Sequence, residues 1–112
     1  MVLNNGMIIK LGRAGGFGGI RRPPRVLDTS QIEPNRAGAL QRHVEAARFF
    51  ELPPEILPAQ PMPDSFQYDL TIEDGGRSHT VTTTQDAAPT ALQALLHATR
   101  EELQKGEGSQ PA

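Results

Sequence analysis

The chain has no cysteine and no tryptophan, and a single tyrosine beside four phenylalanines. Without cysteine there can be no disulfide, no thiolate zinc site and no thiol nucleophile. With so few aromatics there is no stacking platform for bases, so nucleic acid is not an expected partner. No apolar run approaches the ~20 residues that a membrane-spanning helix needs. The first residues lack a basic stretch followed by a long apolar segment, so no secretory signal is read there and a cytoplasmic protein is expected.

What is present points to one modest domain. The 112 residues are 37% hydrophobic, with 10 Pro and 11 Gly that keep some segments irregular. The net charge of −2 conceals an asymmetry, with eight Lys+Arg against three Asp+Glu over residues 1–48 and three against ten over residues 49–112. A basic half argues for an acidic partner, and an acidic half against general nucleic-acid binding. Two solvated surfaces of opposite sign would explain the pattern equally well.

Met7 to Arg13 reads as a first strand with Met7, Ile9 and Leu11 on one face. Four glycines in the six residues Ala14 to Gly19 allow a sharp reversal. The return strand, Ile20 to Asp28, is interrupted by Pro23 and Pro24 or lies at an edge, since proline donates no ladder bond. Thr29 or Ser30 can cap a helix that tolerates Pro34 in its first turn. Ala37, Leu40, Val44 and Ala47 line its apolar face, and it ends near Phe50. Prolines make Glu55 to Pro63 an extended loop. Phe66, Tyr68, Leu70 and Ile72 then alternate with polar residues, Asp74-Gly75-Gly76 turns, and Arg77 to Thr84 returns. Asp86 or Thr90 can cap a last helix whose stripe is Leu92, Leu95, Leu96, Thr99 and Leu103. The expected fold is α+β, a four-stranded antiparallel sheet in β-β-α-β-β-α order with both helices on one face. It forms one domain over 1–112, with its core at about 7–104 and a flexible tail at 105–112.

No catalytic site emerges. His43, His79 and His97 lack the spacing of a helical zinc pair, and the H-E-x-x-H pattern is missing, so they read as surface or boundary histidines and no metal is expected. The glycine segment matches neither phosphate-binding pattern and joins two strands instead of opening a helix. No serine sits in a nucleophile elbow. Asp69 and Glu73 are explained by an outward polar strand face, and Arg21, Arg22 and Arg25 lack aromatic neighbours for base stacking. The chain reads as a binding protein, not an enzyme, with no cofactor. Its candidate contact surface is Arg13, Ala14, Gly15, Gly16, Phe17, Gly18 and Gly19. Phe17 in that segment is either core or an exposed anchor of the kind that dominates interfaces.

The same residues resemble the emfourin family, small protein inhibitors of thermolysin-like and protealysin-like zinc metallopeptidases. The resemblance rests on Arg13 to Ile20, on Val26 and Asp28, on Ala47-Arg48-Phe49-Phe50-Glu51-Leu52-Pro53, and on Asp64 to Thr84 with Tyr68, Gly75-Gly76 and His79. Pro89 to Leu103 completes it, so it covers roughly residues 7 to 103. Ala14 stands where serine is common in the family and Gly18 where alanine is common, departures that bear on target affinity and not on fold. The resemblance implies an inhibitor made without a signal peptide, occluding the cleft of a thermolysin-like metallopeptidase that is often encoded nearby; a monomer is expected. Loop exposure and glycine content place the contact on Ala14 to Gly19 together with the N-terminal segment. The alternative is a non-inhibitory interaction module or regulatory subunit of the same fold.

Overall fold

The computed structural model describes residues 6–15, 24–60 and 66–108. Five strands form one mixed sheet: β1 (Ile8–Gly15), β2 (Arg25–Asp28), β3 (Glu55–Ile56), β4 (Phe66–Asp74) and β5 (Arg77–Thr84). Their order across the sheet is β2-β1-β4-β5-β3. Two helices complete the described fold, α1 (Pro34–Ala47) and α2 (Thr90–Gly108).

The central pair is β1 against β4, antiparallel and in register from Ile8 opposite Glu73 to Gly15 opposite Phe66. That register puts Ile9 beside Ile72 and Leu11 beside Leu70, so the apolar stripes of both strands share one face. Met7, Ile9, Leu11, Leu70, Ile72 and Val81 are buried there with Leu40 and Val44 of α1 and Leu92, Leu95, Leu96 and Leu103 of α2. The other face is polar. Lys10 pairs with Glu73 at 3.1 Å, Thr71 with Thr80 at 2.8 Å, and the Thr82 hydroxyl donates to Asp69 at 2.8 Å.

Turn chemistry fixes the connections. Gly75 and Gly76 both take positive φ, 57° and 90°, the backbone of a two-residue hairpin whose twist suits its strands. β2 begins directly after Pro24 and is four residues long at the sheet edge, where a missing amide is tolerated. Asp28 then caps a short 3₁₀ turn, Thr29–Gln31, by accepting from the Ser30 amide at 3.0 Å. The turn is tied back to the start of the first strand. Thr29 donates its amide to the Met7 carbonyl at 2.9 Å and accepts from the Met7 amide on its hydroxyl at 2.7 Å. This turn stands where a cap at Thr29 or Ser30 was expected, and α1 starts at Pro34 instead, a residue that lacks the amide a first turn would leave unpaired.

Two expectations are corrected. The sheet has five strands and is mixed, where four antiparallel strands were expected. Glu55–Ile56, assigned to an extended proline loop, runs parallel to β5 at Thr82–Thr83. The prolines supply extended backbone, and long-range bonds hold it: Thr82 donates its amide to the Pro54 carbonyl at 2.8 Å, and the Thr83 hydroxyl donates to the Ile56 carbonyl at 2.7 Å. Helix α1 also stops at Ala47, short of Phe50. Arg48 turns left-handed, at φ 50°, and a 3₁₀ turn over Phe49–Glu51 drops Phe49 into the core.

Candidate functional site

The two ends of the sheet differ in chemistry. Strand β1 carries Arg13, Ala14 and Gly15 to one end, opposite Tyr68, Gln67 and Phe66 of β4. Arg13 and Phe66 lie on the helix-bearing face, two positions apart in register. The Arg13 guanidinium carbon sits 4.4 Å from the centre of the Phe66 ring. Phe66 was expected to join the apolar stripe of β4, but it is 42% exposed while Tyr68, Leu70 and Ile72 are buried. At the start of β4, Phe66 keeps the inward orientation yet stands exposed. Tyr68, one step deeper, has the Arg100 guanidinium of α2 at 5.8 Å. Arg25 of β2 reaches the last described part of α2, donating to the Leu103 carbonyl at 2.8 Å. Gly16, Phe17, Gly18 and Gly19 lie outside the described residues.

At the opposite end an open cleft of about 300 Å³ lies between the C-terminus of α1 and the β4–β5 hairpin, lined by Val44, Glu45, Arg48, Phe50, Asp74 and Arg77 among others. Arg77 lies over the Phe50 ring at 4.0 Å and reaches Asp74 at 3.7 Å. His79 packs edge-on against Phe49, with centroids 5.5 Å apart, and meets the Leu52 carbonyl at 2.7 Å through Nε2, which therefore carries the proton. Phe49, Phe50 and His79 are accordingly packing partners. Local sequence showed neither this cluster nor the Arg13–Phe66 pair, because strand register between distant segments makes both.

The three histidines fall on α1, β5 and α2, and among the described residues no group of His, Asp and Glu is placed to hold a metal ion. No helix of the described residues is long and apolar enough to cross a membrane. β1 spans about 23 Å between its ends at the usual rise per residue. Met7 and Gly15, the described residues next to the N-terminal segment and the glycine connection, therefore lie at opposite ends of β1.

A protein-family profile, Emfourin, matches residues 11–100. The chain belongs to the emfourin family. Emfourins are inhibitors, and this emfourin is not an enzyme. Among solved structures it is similar to emfourin (M4in) from Serratia proteamaculans, an M4 family peptidase inhibitor. The two are 21% identical over 85% of this chain and 89% of that one, with a TM-score of 0.43. No curated protein matches the chain significantly. The matched span takes in both ends of the sheet, from Leu11 of β1 to Arg100 of α2.

Proposed function

We propose that this protein is a monomeric inhibitor of a thermolysin-like zinc metallopeptidase and occludes the active-site cleft with the segment Arg13 to Gly19. Membership of the emfourin family over residues 11–100 carries the reading. The geometry supports the placement of the contact. β1 is paired on both sides from Ile8 to Leu11 and with β4 on through Arg13 to Gly15, so the segment that follows starts from a hydrogen-bonded base. A preorganised base lowers the ordering cost of binding, and glycine lets backbone approach a cleft wall closely. Exclusion of substrate from the cleft is all the chemistry that inhibition requires.

The test is hydrolysis of a peptide substrate by thermolysin, and by any peptidase encoded beside this chain, with increasing amounts of the protein. Stoichiometric loss of activity supports inhibition. A folded sample that leaves both enzymes active points instead to a non-inhibitory module of the same fold. Phe17→Ala locates the contact: weaker inhibition at an unchanged unfolding midpoint places the ring in the interface. A loss of ~3–5 kcal/mol in stability places it in the core instead.

A further inference from the structure

Phe66 is one of three large apolar side chains that stand exposed among the described residues, with Val26 and Leu57. It is the aromatic one of the three, and the Arg13 guanidinium lies over its ring. Arg13 has no carboxylate within ion-pair distance among the described residues, in a fold where Lys10, Arg36, Arg48 and Arg77 each have one. An unneutralised guanidinium and an exposed ring thus sit together, two residues before the glycine connection. A guanidinium stacked on an aromatic ring presents its flat face to it, and its in-plane N–H groups remain directed outward as donors. A fork held in this way loses little freedom on binding a carboxylate.

Resting on the inhibitor reading above, we propose that Arg13 and Phe66 form one preorganised contact beside the glycine connection. The partner chemistry is a carboxylate on the rim of the peptidase cleft, gripped by the Arg13 fork, with apolar rim surface against the Phe66 ring. The charge at this end favours that occupant, since Arg100 also stands over Tyr68 on the same face. Arginine beside an aromatic ring is the composition typical of interface hot spots. Phe66 joins the contact through strand register, from a segment more than fifty residues away in sequence.

Inhibition constants against the target peptidase test this, for the full chain and for Arg13→Ala, Arg13→Lys, Phe66→Ala, Phe66→Leu and the double alanine variant. Each single alanine change is expected to weaken inhibition by about tenfold or more. The double variant should be little weaker than either single one, because the two side chains act as a unit. Arg13→Lys should not restore affinity, since an ammonium lacks the planar fork. Phe66→Leu keeps apolar bulk without the π face and guards against an alanine variant that folds poorly. Added salt should weaken the wild type more than Arg13→Ala. Lys10→Ala removes the same charge from the opposite face of the same strand and should leave inhibition unchanged. Wild-type inhibition with unaffected or strictly additive variants, or an equal effect of Lys10→Ala, overturns this inference and spares the inhibitor reading. A wild type that inhibits no such peptidase overturns both.

Discussion

Thr99 of α2 is fully buried, and its hydroxyl has no hydrogen-bond partner among the described residues. An unpaired buried hydroxyl costs about 1–3 kcal/mol, and valine has nearly the same shape without it. Thr99→Val is expected to raise stability by about 1 kcal/mol, read as a higher urea or thermal midpoint; a lower midpoint would show that the hydroxyl is satisfied. Arg48 presents the opposite kind of cost. It holds a left-handed backbone at φ 50°, the only positive φ among the described non-glycine residues. Its amide closes the end of α1 on the Glu45 carbonyl at 3.1 Å, and its exposed ion pair with Glu51 is long at 4.0 Å. Glycine suits this helix-end position better. Arg48→Gly should therefore stabilise by about 0.5–1 kcal/mol, the relieved left-handed strain less the added freedom of the unfolded chain, and calorimetry would check it.

Between elements, the strongest polar link is the one joining the two helices. The Arg36 side chain of α1 donates to both oxygens of Glu102 of α2, with Nε 3.1 Å from each and a terminal nitrogen 2.6 Å from one. Glu102 is 8% exposed, and its carboxyl is held below the ordinary carboxylate range, chiefly by the Arg36 hydrogen bonds, against the opposing effect of burial. A depressed folded-state pKa gives stability that is complete above the unfolded value of about 4.3 and is lost as pH falls through the folded value. Glu102→Gln should therefore lower the unfolding midpoint at neutral pH and flatten its fall in acid, the two curves converging at low pH. Parallel curves would refute the assignment. Elements whose stabilising contacts are local were readable from sequence. Leu92, Leu95, Leu96, Thr99 and Leu103 form a buried stripe on α2 as their spacing requires, and Gly75-Gly76 with the alternation of β4 encodes the hairpin. The 3₁₀ turn at Thr29 and strand β3 were not, because Met7 and Thr82 hold them from distant parts of the chain. Alternation also assigned Phe66 to the correct face, but it carries no information on how far the helices extend over that face.

At the scale of the whole molecule, one face of the sheet is roofed by both helices, the other is polar, and the two ends are separated by the length of β1. If inhibition comes from the glycine-connection end, bulk added there must block it, and bulk at the hairpin end must not. The absence of cysteine makes this a clean experiment, since a single introduced thiol can carry a large polymer label. Pro24 is exposed and follows the connection directly, within 4 Å of where a side chain on Gly12 would begin, whereas Ser78 is exposed beside the hairpin turn. Neither backbone amide conflicts with the change: proline has none to lose, and Ser78 lies at the end of β5 where polar residues face solvent. Labelled Pro24→Cys is expected to lose inhibition while labelled Ser78→Cys retains it, with both unlabelled variants active. The reverse pattern would move the contact to the cleft bounded by Phe50 and Arg77, at the end of the sheet where β1 begins. Loss at both positions would mean that the peptidase covers a surface longer than β1, which a single cleft-entering loop does not explain.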